Sequence, residues 1–328
     1  MSDNKQQHMT SIGGQAVIEG VMMRGPEKIA IAVRKPDGEI ALDVKEVNSA
    51  FKKHKWLKAP ILRGCIAFFD SLVTGVKALM YSAEFFDLEE EETQPSKFEK
   101  YLTEKLGDKM KDVIIYFSVF VSLIFSIGVF MLLPKVIVEG VSWLIKTLAP
   151  GNAGEAISGN NFLMSLIEGI VRISIFLIYI VLVSRMKDIQ RVFEYHGAEH
   201  KSIFCYEAGE ELTVENARKF TRLHPRCGTS FLLFVMIISI ILFSLIPRFA
   251  NIFASLGMRL LLLPVVAGLA YEVIKFAGRS KSKCVAVLTK PGLWMQKLTT
   301  REPDDSQLEV AIASLKAVLT GNREDDKW

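Results

Sequence analysis

Cysteine is scarce in this chain and there is little excess of basic over acidic residues, and each of these narrows what it can be. Cys65, Cys205, Cys227 and Cys284 are too few and too scattered for the disulfide framework of a small secreted domain. They read as buried small apolar residues or as ligands. The formal net charge is only +4, too little to draw a nucleic acid by bulk electrostatics, and no nucleic-acid partner is expected. The opening residues MSDNKQQHMTSIGG place no apolar run behind a positive end, so no cleavable signal peptide is expected. No internal repeat is visible.

Apolar sequence is abundant. It makes up 50% of the chain and is concentrated in the second half. The runs at 113–133, 162–183, 229–246 and 252–271 each approach the roughly 20 residues that carry a helix across a bilayer. Pro134 and Lys135 end the first, and Pro247-Arg248 end the third. Loop charges set an orientation. Arg185, Lys187, Arg191, Lys201, Arg218, Lys219, Arg222 and Arg226 crowd the middle loop, against Lys135 and Lys146 after the first run and Arg248 after the third. The positive-inside rule then puts both termini and the middle loop in the cytoplasm. The segment 61–86 repeats Ile66, Phe69, Leu72, Val73, Val76, Leu79 and Met80 at helical spacing, with Arg63, Asp70, Lys77 and Glu84 among them. It reads as an amphipathic helix on the membrane or on the bundle, with a fifth span as the alternative.

The remaining sequence is soluble in character. Residues 15–23 alternate loosely, and 28–34 and 39–45 alternate cleanly about a Lys35-Pro36-Asp37-Gly38 turn, which predicts a β-hairpin with a preceding strand. The acidic run 87–92 with the following Thr93-Gln94-Pro95-Ser96 reads as a linker. Lys290-Pro291-Gly292-Leu293-Trp294 suggests an interfacial turn with an aromatic anchor. Asp304 or Asp305 is placed to cap a last helix carrying Leu308, Ala311, Ile312, Leu315 and Leu319 on one face. The expected fold is an α-helical polytopic membrane protein of about four transmembrane helices, with a small N-terminal β-hairpin or meander and amphipathic helices. Its expected parts are a β-rich segment 1–60, an amphipathic helix and linker 61–112, a membrane domain 113–275 containing a cytoplasmic motif loop 184–228, and a helical tail 276–328.

Chemistry concentrates around that loop. His196-Gly197-Ala198-Glu199-His200 fits H-x-x-E-H, the inverted zincin pattern. On a helix the two imidazoles stand one turn apart on one face and can share a metal. Glu199 beside them is placed to act as general base on a metal-activated water. The alternative is two packed histidines hydrogen-bonded to Glu194 or to a backbone carbonyl. His224-Pro225-Arg226-Cys227-Gly228-Thr229-Ser230 leads into the third apolar run and sets Cys227 near a helix N-terminus, where the dipole favours negative charge. His224 and Cys227 would complete a set of nitrogen and sulfur donors that suits zinc; the alternative is a purely conformational turn. Glu168 and Arg172 sit four apart in the second run, with Arg259 in the fourth, and read as a helix-holding cluster more than as a site. Glu19, bracketed by Gly13-Gly14 and Arg24-Gly25-Pro26, marks either an anion cradle or a turn.

At these residues the sequence resembles the YqhQ-like family of bacterial membrane proteins, a domain of unknown function that carries the label of predicted metal-dependent enzymes. The resemblance covers nearly the whole chain. It rests on GGQAVIEGVMMRGP at 13–26, EYHGAEHK at 194–201, HPRCGTSF at 224–231 and TTREPDDSQLEVAI at 299–312. It implies a multi-pass protein of the bacterial cell membrane, with His196, Glu199, His200, His224 and Cys227 behind the metal label. Inverted zincin peptidases are less similar: they are large soluble folds with a downstream glutamate ligand, and no counterpart is identifiable here.

Two functions follow as expectations. One is a membrane-embedded metal-dependent enzyme, a hydrolase at the cytoplasmic face, holding a divalent ion such as zinc. The other is a non-enzymatic channel, transporter or oligomeric scaffold in which the His/Cys cluster is structural. The lipid bilayer is the expected partner of both, and a homo-oligomer is compatible with both. Nothing in the sequence names a substrate.

Overall fold

The computed structural model of the protein describes residues 8–47, 59–86, 110–148, 159–246, 251–279 and 282–327. The expected linker at 87–96 lies outside the described residues, as do Pro247 and Arg248. The chain forms two compact units: Met1–Phe86 with Tyr179–Ser239 and Leu262–Trp328, and Asp87–Ile178 with Ile240–Leu261.

Helices dominate. They are α1 (Leu62–Ala83), α2 (Met110–Ile127), α3 (Leu133–Leu148), α4 (Asn161–Val183) and α5 (Lys187–Glu207). The short α6 (Val214–Arg218), α7 (Gly228–Ser244), α8 (Ile252–Arg279), α9 (Lys283–Thr299) and α10 (Asp305–Val318) follow. The N-terminal strands β1 (Gly13–Val17), β2 (Gly20–Arg24), β3 (Lys28–Arg34) and β4 (Ile40–Glu46) form one antiparallel meander in that order.

Period-two sequence builds the sheet. Val21 pairs with Ala32, Met22 with Ile31 and Met23 with Ala30, and successive side chains leave opposite faces. Val21, Met23, Ala30 and Ala32 share one core with Tyr195, Ala198 and Ile203 of α5 and Leu308, Ile312 and Leu315 of α10. Val17, Met22, Ile31 and Val33 join Ala78 of α1, with Tyr81 and Phe85 packed beside them. Each buried Val, Ile, Leu or Met side chain among these contributes about 1.5–3 kcal/mol, so the sheet is held from both faces. The loose alternation at 15–23 is two strands and not one, because Ile18 and Glu19 reverse the chain between Val17 and Gly20. α10 starts as its sequence predicts: Asp304 accepts the Gln307 amide at 2.9 Å, and the Gln307 side chain accepts the Asp304 amide at 2.9 Å, a reciprocal cap.

Two turn expectations are corrected. Residues 290–294 lie inside α9, with Pro291 on its exposed side; there the proline forgoes one helical hydrogen bond without burying the orphaned carbonyl. Pro134 does not end the first apolar run either. A wider π-type turn at Gly128–Leu132 precedes α3, so the proline enters at its second position, where a ring without an N–H is tolerated.

Four helices are long and apolar enough to cross a membrane: Leu62–Ala83, Phe117–Leu148, Asn161–Val183 and Ile252–Ala277. The third expected run is a shorter apolar helix, Phe231–Ser244. Phe120, Ile178, Leu182, Ile241 and Leu261 stand exposed along these helices, the pattern of a surface made for hydrocarbon. α1 meets the length requirement with 22 residues, yet it is two-faced. Gly64, Gly75, Ala78 and Ser82 are buried, while Phe69, Leu72, Val73 and Leu79 are exposed. Gly64 lets the α1 backbone run against Gly268 and Tyr271 of α8, where a Cβ would stand 2.7 Å from that of Tyr271. Arg63 and Glu272 close the same contact at 2.5 Å.

Candidate metal centre

α5 is the scaffold. His196 and His200 stand one turn apart on it, with ring centroids 4.5 Å from each other. Gly197 between them sits under the backbone of Arg301, where a Cβ would fall 2.0 Å from the carbonyl oxygen. Only glycine lets the segment after α9 approach so closely, and that approach brings a carbonyl to the first histidine. His196 Nδ1 lies 2.8 Å from the Thr299 carbonyl oxygen, and His200 Nδ1 lies 2.5 Å from that of Arg222. A carbonyl only accepts, so each ring donates from Nδ1, which makes Nε2 the coordinating atom of the neutral ring.

The sequence around Cys227 brings the sulfur to those nitrogens. Pro225 keeps the chain out of helix until Gly228 begins α7, and Cys227 sits just before it, buried. Its Sγ is 3.2 Å from His196 Nε2. The Thr229 amide and hydroxyl lie 3.5 and 3.4 Å from the sulfur. One donor atom each from His196, His200 and Cys227 falls within 4.8 Å of the others. His200 Nε2 is buried and has no hydrogen-bond partner among the described residues. An unmet buried acceptor of this kind costs about 1–3 kcal/mol, and a cation at the focus of the three donors would satisfy it.

Glu199 stands beside His196, outside the three-donor cluster. It is buried, its Oε1 accepts the Gly14 amide at 2.9 Å, and its Oε2 is 3.9 Å from His196 Nε2. Burial pushes its carboxyl above the usual range, against the lowering effects of His196 and the Gly14 amide. Gly14 is needed for that contact, since a Cβ would meet the Met22 carbonyl at 2.6 Å and Glu199 Cγ at 3.0 Å. Glu19 does not form an anion cradle. Its carboxylate takes the Arg191 guanidinium on both oxygens and the Tyr195 hydroxyl at 3.2 Å, clamping the β1–β2 turn onto α5. Glu19 sits in the two-residue turn at φ 48, a backbone cost of about 1–2 kcal/mol.

His224 lies beside the cluster, its ring centroid 5.5 Å from that of His200, but its nitrogens face elsewhere. Nδ1 is 3.3 Å from the Arg226 amide, and Nε2 is 3.3 Å from the Arg226 guanidinium and 3.8 Å from Glu207. Burial drives its pKa down to about 4, against the raising effect of Glu207. Glu207 in turn pairs with Arg226 and accepts the Thr10 amide at 2.8 Å. The backbone of His224 is fixed by Gln296 of α9, which accepts its amide at 2.8 Å and donates to its carbonyl at 2.7 Å. Gln296, Thr299 and Glu207 are not singled out by sequence reasoning, and Gly14 only as a glycine bracketing Glu19; the available signal for its place at the site was that Gly14 and Thr299 lie inside the strings 13–26 and 299–312.

Glu168, Arg172 and Arg259 form a separate cluster. Glu168 takes Arg172 at 2.8 Å and Arg259 through both guanidinium nitrogens, and both guanidiniums lie over the Phe243 ring at 5.4 and 5.5 Å. This links α4, α7 and α8, as a helix-holding role requires. Cys65 donates to the Pro264 carbonyl at 2.8 Å, Cys205 is buried in the α5 core, and neither is in a disulfide.

The four strings behind the resemblance meet on α5: it carries one, and the others supply Gly14, Cys227 and Thr299. The family described as protein of unknown function (DUF1385) matches residues 59–321. The uncharacterized protein YqhQ of Bacillus subtilis (strain 168) is 35% identical over 312 residues, covering 94% of this chain and 92% of its own. No solved structure matches. Neither description names a metal or an activity. The chain belongs to the DUF1385, or YqhQ-like, family.

Proposed function

We propose that this is a membrane protein that binds a divalent metal ion, zinc by donor chemistry, through His196, His200 and Cys227, and that it is an enzyme of hydrolase type. The buried, unpartnered Nε2 of His200, aimed at two other soft donors, carries the reading. Imidazole and thiolate suit zinc over the harder cations. Both Nδ1 atoms are already held by carbonyls, the outer support that metal-ligating histidines need.

Three protein donors leave a coordination position open, which distinguishes catalytic from structural zinc sites. A bound ion would supply Lewis acidity at that position. Glu199 then holds and moves a proton at Oε2, its Oε1 fixed by Gly14. The loop charges support a cytoplasmic placement of this site, with both termini on the same side.

A second reading makes the site structural, with Glu199 as the fourth ligand; its Oε2, 3.9 Å from His196 Nε2, favours this. Glu199→Gln separates the two. The enzyme reading predicts a protein that keeps its metal and, loaded with cobalt, keeps the sulfur-to-cobalt charge-transfer band that Cys227→Ser abolishes. Loss of metal from Glu199→Gln would transfer the residue to the ligand shell and remove the catalytic reading.

A further inference from the structure

α9 has two faces with different partners. Gly292, Met295, Gln296 and Thr299 are buried on one, and this face holds the His224 backbone and His196. On the other, Val287, Pro291, Trp294 and Leu298 follow one another at helical spacing. All four are exposed, Trp294 at 64%. Lys290 and Lys297 flank this stripe and are also exposed. An apolar stripe with a central tryptophan and lysines along its flank is the composition of a helix lying in the membrane interface.

A cleft of about 420 Å³ opens at the end of the same helix, lined by Lys297, Leu298, Thr300, Arg301, Arg222 and Ser184, with Glu194 and Glu302. Its charge is lopsided. Glu302 is engaged by Lys201 at 2.8 Å and by Arg222 at 3.4 Å, and Glu194 accepts from Gln307 at 2.9 Å. Among the described residues the Arg301 guanidinium reaches only a neutral partner, the Ser184 carbonyl, at 3.3 Å. Ser184 follows the last residue of the apolar helix Asn161–Val183, and α9 follows the apolar helix Ile252–Ala277. Both walls of the cleft are therefore tied to ends of candidate spans.

We propose that the apolar stripe of α9 rests in the acyl boundary of the bilayer, and that the cleft at its end takes the phosphate of an anionic lipid headgroup through Lys297 and Arg301. The lipid is the occupant because one helix supplies both the apolar stripe and the cation at the cleft, and a phospholipid has both halves joined in one molecule. Arginine fits the oxygens of a phosphate in its own plane, and lysine adds charge. The inference does not depend on the metal, although the buried face of α9 would set a bound lipid beside it.

The test uses the full-length protein in detergent, with dioctanoyl phosphatidylglycerol, dioctanoyl phosphatidylcholine and soluble glycerol phosphate as probes. Phosphatidylglycerol should bind tightest, and Lys297→Glu, an exposed substitution that leaves the core intact, should weaken it about tenfold, with a larger loss when Arg301→Gln is added. In vesicles containing brominated phosphatidylglycerol, wild type should lose more tryptophan fluorescence than Trp294→Phe. Equal binding by Lys297→Glu and wild type, glycerol phosphate as tight as the lipid, or equal quenching of the two proteins would each overturn the proposal. The binding arm runs equally on metal-stripped protein, so its result is separate from that of the metal reading.

Discussion

Glu207 shows how much of the site depends on single buried charges. Its desolvation by burial, the largest influence, raises its pKa, but the His224 ring 3.8 Å away, the Arg226 charge and the Thr10 amide outweigh it and leave the carboxyl below its usual range. A depressed carboxylate stabilises the fold above its unfolded value of about 4.3, and that contribution is lost as pH falls through the lower folded value. Thermal unfolding in detergent, followed from neutral to acid pH, should therefore show a stability decrease in the acid range that Glu207→Gln no longer shows. At neutral pH the same substitution leaves Arg226 buried without its carboxylate and should cost on the order of 3 kcal/mol. An unchanged acid profile in the variant would place the pH dependence elsewhere.

At the scale of elements, the contact between α5 and the segment after α9 decides whether the histidines are held. Gly197→Ala puts a methyl group where the Arg301 carbonyl stands, so the two backbones must separate. The expectation is a destabilisation of about 1–3 kcal/mol and weaker metal retention, because the Thr299 carbonyl leaves His196; thermal unfolding and metal analysis of one preparation read both. A variant as stable as wild type would show that the close approach is dispensable. Much of this level was legible. Period-two alternation located β3 and β4, the Asp304 cap located α10, and the H-x-x-E-H spacing put two imidazoles on one face. Partners distant in sequence were not legible. Gln296 reads as an ordinary polar residue until α9 folds against His224, and Pro291 reads as a turn because its exposed position in α9 is a tertiary fact. His224 looked like a ligand by proximity in the chain, yet its nitrogens are taken up by Arg226 and Glu207.

For the whole molecule, four helices are long and apolar enough to cross a membrane, and the orientation proposed above from the basic residues puts the site on the cytoplasmic side. Single cysteines introduced at Asp37, on the β3–β4 turn, and at Arg323, near the C-terminus, should both be protected from a membrane-impermeant thiol reagent in intact cells and labelled after permeabilisation. Labelling of either in intact cells would reverse the orientation. α1 and the helix Phe231–Ser244 differ from the other apolar helices in opposite ways. One has the length but a packed face, and the other is apolar but short. The direct measurement of the central claim is the metal content of purified protein beside His200→Ala and Cys227→Ser. The account predicts close to one equivalent of zinc in wild type and little in either variant. A folded wild type without metal, or variants that hold as much as wild type, would contradict it.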